Sequence, residues 1–229
     1  MPDISIASLL LSLVPCGGVV WIAQRWAGRG GELTVAVVRM AAQLLIIGYV
    51  LVVIFETRQW WVGAFVVAVM IAVAGPISVR LVRDQRLRTL GHAWTALALG
   101  GGGALVFVYA IVLRVRDPWY QPRIVIPIAG MVFANAMTAI TLAAERFQKE
   151  RQDGAGYVAS RKAAWSAAMI PQVNALLAVG LVSLPGIMTG QILSGVDPLV
   201  AVRYQIVVMA MVLQASGFSV AVFLRRLRE

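Results

Sequence analysis

The chain has 229 residues, 60% of them hydrophobic and only 13% charged, a balance too apolar for one water-soluble core and one that implies lipid as the solvent. Its formal charge of +10 could serve nucleic acid, but the arginines fall in short connectors between apolar runs, so no nucleic-acid partner is expected. The single cysteine, Cys16, excludes an intrachain disulfide and any multi-cysteine metal cluster.

Apolar runs recur at about the length that crosses a hydrocarbon layer of roughly 30 Å as a helix rising about 1.5 Å per residue. Seven spans are expected, at residues 4–22, 33–55, 61–79, 93–113, 124–144, 173–193 and 199–224. They predict an all-α, polytopic membrane bundle, a single transmembrane domain over residues 1–229 with 145–172 as a cytoplasmic segment between the fifth and sixth spans. The first span opens with Asp3 and no basic residue, so it reads as a retained helix rather than a cleaved leader. In the second, Arg39 and Gln43 lie four residues apart and share a helix face. Trp60 and Trp61, with Trp119 and Tyr120, fit an aromatic belt at the outer interface. Gly100 to Gly103 in the fourth span precede no Gly-Lys-Ser/Thr, so they predict tight packing or a flexible point rather than a phosphate loop.

The fifth span carries a stripe of Asn135, Thr138 and Thr141, with Met131 one turn before. Segment 145–172 then mixes Arg, Lys, Glu and Ala around Asp153-Gly154-Ala155-Gly156, a turn signal ahead of a short helical run over 157–169. Two readings stand open: an interfacial linker whose cations touch anionic lipid, or a docking surface for a soluble partner. Pro185-Gly186 interrupts the sixth span as a candidate hinge, with Met188, Thr189 and Gln191 following it. Gly186 and Gly190 have the spacing of close helix packing. The seventh span brings Arg203, Tyr204, Gln205 and Gln214 to membrane depth, where polar groups face a bundle interior or a watery path.

Orientation follows from the basic residues. One set of alternate connectors holds Arg25 and Arg29, then Arg80, Arg83, Arg86 and Arg88, then Arg146, Lys149, Arg151, Arg161 and Lys162, with Arg225, Arg226 and Arg228 in the tail, whereas the opposite set holds only Arg58, Arg114, Arg116 and Arg123. The N-terminus is therefore expected outside and the C-terminus in the cytoplasm of a cell membrane, the inner membrane in a Gram-negative source. No Walker loop, HExxH, CxxC pair or Ser/His/Asp set occurs, and the one histidine, His92, falls in a connector. The chain is not expected to be an enzyme. Any uphill transport driven by ATP hydrolysis needs a separate subunit to bind nucleotide.

Three segments carry a family resemblance: Arg39-Met40 with Gln43-Leu44 and Gly48; Pro127 to Met131 with Asn135-Ala136-Met137-Thr138-Ala139; and Ser183-Leu184-Pro185-Gly186-Ile187-Met188-Thr189-Gly190-Gln191-Ile192-Leu193 with Asp197-Pro198 and Ala201-Val202-Arg203-Tyr204-Gln205-Ile206. Together these resemble the iron-export ABC transporter permeases of the FetB type, which include plant relatives linked to aluminium tolerance. The resemblance implies a permease that pairs with a second copy of itself and with ATP-binding cassette subunits, which bind the ATP and Mg, and that exports iron or a related solute. Segment 145–172 is shorter than that family's usual cytoplasmic segment.

The substrate path is expected along Arg39, Gln43, Met131, Asn135, Thr138, Met188, Thr189, Gln191, Arg203 and Gln205, with the hinge at Pro185 and Gly186. ATPase docking is expected at Gly154, Gly156, Tyr157, Arg161 and Lys162. No Asp or Glu lies deep in a predicted span, while Arg39 and Arg203 repel a naked cation. Any metal is therefore expected to travel complexed or to meet soft and neutral ligands such as Met131, Met188 and Asn135. An ATP-independent carrier or channel, or a non-transporting membrane assembly subunit, are the other readings the residues leave open.

Overall fold

A computed structural model of the chain describes residues 5–56, 59–82, 86–112 and 120–228, without the side chains of residues 6, 53 and 86–88. Arg58, Arg83, Arg114, Arg116 and Trp119 of the sequence reading lie outside the described residues, as does Asp3. The chain divides into two compact units, residues 1–56 and 57–229.

The first unit is a helical hairpin of α1 (Ile6–Ala27) and α2 (Gly30–Glu56). Ser5 caps α1, its hydroxyl accepting from the Ser8 amide at 3.1 Å, and Gly28 ends it in the left-handed region at φ 65°, which a side chain would resist. The turn is locked by Gln24, whose side-chain carbonyl accepts from the Gly30 amide at 3.0 Å. Both helices are apolar around most of their circumference and leave large hydrophobics such as Leu11, Trp26, Leu45 and Tyr49 exposed. An apolar exposed helix of this length belongs in lipid.

The second unit holds α3 (Trp60–Ser78), α4 (Arg86–Ala96), α5 (Gly103–Phe107), α6 (Pro122–Gln152), α7 (Tyr157–Ala178), α8 (Gly186–Leu193) and α9 (Pro198–Arg226). The fourth span is longer and less regular than expected. It runs from α4 through a π-helical stretch, Leu97–Gly102, then α5, then a second π-helical stretch, Val108–Val112. The glycine run explains the first: a Cβ at Gly100 would collide with the backbone of Ser219 on α9, and one at Gly101 would press on the Phe133 ring of α6. The run is close packing, at a point where the helix widens by a residue. His92 lies inside α4 and is half-buried rather than in a connector. Tyr120 is buried against Gly63 instead of standing in an interfacial belt, whereas Trp60 and Trp61 are exposed.

The core is built on α6 and α9. Ala129, Ala136, Ala139 and Ala143 recur at helical spacing on the buried face of α6, and Met211, Ala215, Val220 and Phe223 on that of α9. Small residues let the backbones approach, which is how helices gain contact where lipid offers no hydrophobic drive.

Six helical segments among the described residues are long and apolar enough to cross a bilayer: α1, α2, α3, the segment Thr89–Val112, α6 and α9. The expected all-α, multi-pass membrane bundle is thus what the structure shows. The difference lies in the sixth span, which is not one helix. The helical run expected over 157–169 continues without interruption to Ala178, past Pro171, as the single helix α7. At Gly180 the chain takes φ 84°, the Gly180 amide donates to Ser183 instead of back to Leu176, and a short bridge joins Val179 to Ser183. Helix resumes only after Pro185, as the eight-residue α8.

Candidate functional site

The interruption between α7 and α8 opens a crevice of about 450 Å³ against α9. Leu176, Val179 and Gly180 supply its wall from the end of α7, Met188 from α8, and Gln205 and Met209 from α9. Discontinuous helices at membrane depth are tolerated where the freed backbone is covered by protein or lines a cavity.

The wall is almost wholly apolar, with one exception. Gln205 is only 5% exposed, and its side-chain carbonyl oxygen has no hydrogen-bond partner among the described residues. A buried amide oxygen left unpaired costs about 1–3 kcal/mol relative to a satisfied one. Two thioethers, one stranded carbonyl and a backbone turn form a soft, neutral surface. Among the described residues no group of three or more His, Cys, Asp or Glu side chains could hold a metal ion.

Of the residues singled out in the sequence, the crevice brings Met188 and Gln205 together. Pro185 stands at the N-terminal cap of α8 and Gly186 opens that helix, so both sit at the interruption. Thr189 donates back to the Pro185 carbonyl at 3.2 Å and bridges to no other helix among the described residues. The Gln191 side-chain oxygen is buried without a partner among the described residues. A Cβ at Gly186 or Gly190 would meet nothing within 4 Å among the described residues, so this pair makes no close helix contact there, contrary to the expectation from its spacing.

The stripe on α6 stays on α6. Asn135 donates to the Met131 carbonyl at 2.9 Å, Thr138 to Ala134 at 3.0 Å and Thr141 to Met137 at 2.9 Å, each within its own helix. Met131 is half-buried against the core and none of these residues lines the crevice. Arg203 is exposed near the start of α9, and Arg39 and Gln43 are exposed on α2 of the first unit. Leu176, Val179, Gly180 and Met209 were not anticipated; the signal for Gly180 was present in the turn-forming pattern Gly180, Ser183, Pro185, Gly186 within one apolar run.

At the other end of α7, Asp153–Gly156 forms the expected turn, with Gly154 at φ 86° and Gly156 at the N-terminal cap of α7. Tyr157 ties α7 to α9, its hydroxyl donating to the Leu224 carbonyl at 2.9 Å. Arg161 lies over the Tyr157 ring, its guanidinium carbon 5.6 Å from the centroid, and Lys162 beside it is exposed.

The family model described as Uncharacterised protein family (UPF0014) matches residues 4–161 and 156–229, two pieces that meet in the first turns of α7. The UPF0014 membrane protein slr1647 of Synechocystis is 34% identical over 213 residues, covering 85% of this chain and 82% of that protein. The protein ALUMINUM SENSITIVE 3 of Arabidopsis thaliana is 32% identical over 208 residues, 82% of this chain and 73% of that one. The probable iron export permease protein FetB of Escherichia coli is 32% identical over 196 residues, 79% of this chain and 74% of that one. No solved structure matches. The helices, the interrupted span and these likenesses lead to one assignment: the chain belongs to the UPF0014 family of multi-pass membrane proteins.

Proposed function

We propose that the chain is the membrane permease subunit of an ATP-binding cassette transporter that exports iron or a related metal or metal complex. Hydrolysis of ATP with Mg takes place on a separate subunit, and two permease copies pair in the assembly. The observation that carries the reading is the crevice at the α7–α8 interruption, where Gln205 holds an unpaired carbonyl at a site walled by Met188 and Met209. A stability cost of that kind persists where a ligand can offset it. The likeness to a probable iron export permease supplies the cargo class.

The lining argues about the form of the cargo. A bare hard cation needs several oxygen ligands, and the crevice offers a single side-chain oxygen beside thioethers. Metal therefore enters as a neutral or anionic complex, with Gln205 accepting a hydrogen bond from its shell. Met131, Asn135, Thr138, Thr189, Gln191 and Arg203 serve as further points along the path, Pro185 and Gly186 as its hinge. The ATPase contacts the turn at Gly154 and Gly156 and the start of α7 at Tyr157.

The test is efflux from proteoliposomes holding this chain, with and without a candidate ATPase, for several metals and chelators. Nucleotide-dependent efflux that varies with chelator is the expected result; efflux of free ferrous ion indifferent to chelator sinks the complexed-cargo reading. A carrier needing no nucleotide is the second reading, favoured by the four-residue turn at Asp153–Gly156, which offers a partner little to grip. Flux driven by an imposed ion gradient without ATP would establish it.

A further inference from the structure

At the end of α7 remote from the crevice, α7 and α9 enclose a groove of about 810 Å³. Its cations are Arg161 and Lys162 from α7 and Arg225 and Arg228 at the end of α9, and among the described residues no carboxylate lines it. A smaller cavity of about 390 Å³ shares Tyr157, Arg161 and Arg228 with it and adds Arg151. One of the cations, Arg161, has a rigid support. Tyr157 is fixed by its bond to Leu224 and by the Phe147 ring edge-on at 5.9 Å, and Arg161 rests on that fixed ring. The nearby Glu150 is already engaged by Arg146 at 2.6 Å, so it does not neutralise the groove.

Four cations lining one groove select a phosphate-like anion. Two further features narrow the choice. Trp165 lies in the same groove, and an indole ring beside basic side chains is the signature of headgroup depth in a bilayer. Trp165 and Val173, eight residues apart on one face of α7 and both exposed, continue from the groove as an apolar track along a helix of a membrane protein. A free phosphate would leave the track and most of the volume unused.

We propose that this groove is a binding site for an anionic phospholipid, its phosphodiester held by Arg161, Lys162, Arg225 and Arg228 and one acyl chain lying along Trp165 towards Val173. The basic-residue bias places it in the cytoplasmic leaflet. The site is separate from the transport crevice and calls for no nucleotide.

The full chain, purified in a neutral detergent, is titrated with phosphatidylglycerol, phosphatidylcholine or inorganic phosphate, and bound lipid is counted by native mass spectrometry. Phosphatidylglycerol should be held about tenfold or more tightly than phosphatidylcholine. Arg161→Gln with Arg225→Gln should remove that preference, at about fivefold for each charge lost. Arg161→Lys with Arg225→Lys should keep most of it, and Lys149→Gln, outside the groove, all of it. Where the double glutamine variant aggregates, Lys162→Gln alone should show the fivefold loss. Equal retention of the two lipids, or undiminished preference in the glutamine variants, overturns the proposal. So does displacement of phosphatidylglycerol by millimolar inorganic phosphate, which marks a free-anion site. If a candidate ATPase shields Lys162 from amine labelling while phosphatidylglycerol vesicles leave it reactive, the groove is a protein-docking surface and the proposal fails. Because lipid retention is read without ATPase or nucleotide, its failure would leave the transport reading standing.

Discussion

The two cavities sit at opposite ends of one helix pair, α7 and α9, yet share no chemistry. The crevice at the α7–α8 interruption is neutral and holds one stranded amide oxygen, whereas the groove at the start of α7 is cationic, with Arg161 resting on the fixed Tyr157 ring. The difference follows from the residues each region offers: Arg161, Lys162, Arg225 and Arg228 line the groove, while Gln205 is the polar side chain among the described residues of the crevice wall. A charged or unpaired polar group is costly away from water, so the groove suits a charged ligand and the crevice suits a neutral or shielded one.

The comparison can be attacked first where both regions depend on one support. Gly100→Val drives a side chain into the Ser219 backbone of α9 and should cost about 1–3 kcal/mol, with loss of both efflux and lipid preference, seen as lower folded yield and melting temperature. Next, Gln205→Leu removes the stranded oxygen. Efflux should fall about tenfold or more, while thermal stability in detergent stays level or rises by about 1 kcal/mol; a stability loss with normal efflux would make Gln205 structural. Pro185→Ala relaxes the cap of α8 and should lower transport by several-fold without changing assembly or phosphatidylglycerol retention. The smallest effect belongs to Tyr157→Phe, which deletes the bond to Leu224 and should cost about 0.5–1.5 kcal/mol, loosening Arg161 and weakening lipid retention while leaving cargo binding in the crevice unchanged.

The membrane bundle could be read from the sequence because lipid imposes one rule on every residue of a span. The interruption could be read only in part. Pro185-Gly186 was visible, but the chain leaves the helix earlier, at Gly180, and a single glycine in an apolar run looks the same whether it packs or turns. Gly186 and Gly190 show the converse: their spacing suggested contact, and both face open space. Glycine reports only that a side chain is absent, and the neighbours decide what fills the gap. On α6 the polar stripe was real, but Asn135, Thr138 and Thr141 satisfy themselves on their own helix, so periodicity alone could not say whether they meet a partner. The basic groove was half visible, since Arg161 and Lys162 were noted, but Arg225 and Arg228 join them through the packing of α7 on α9, where Tyr157 bonds to a residue 67 positions away.

The turn at Asp153–Gly156 also has a mechanical meaning. It joins α6, of 31 residues, to α7, of 22, with only four residues between, and Tyr157 clamps the start of α7 to the end of α9. Helices are stiff along their axes, so a displacement applied at this turn is carried with little loss along α7. Its first compliant joint is Val179–Pro185, where the hydrogen-bond ladder stops. A short, unyielding input thus delivers its motion to the one place in that path where the backbone can fold, and that place is the wall of the crevice.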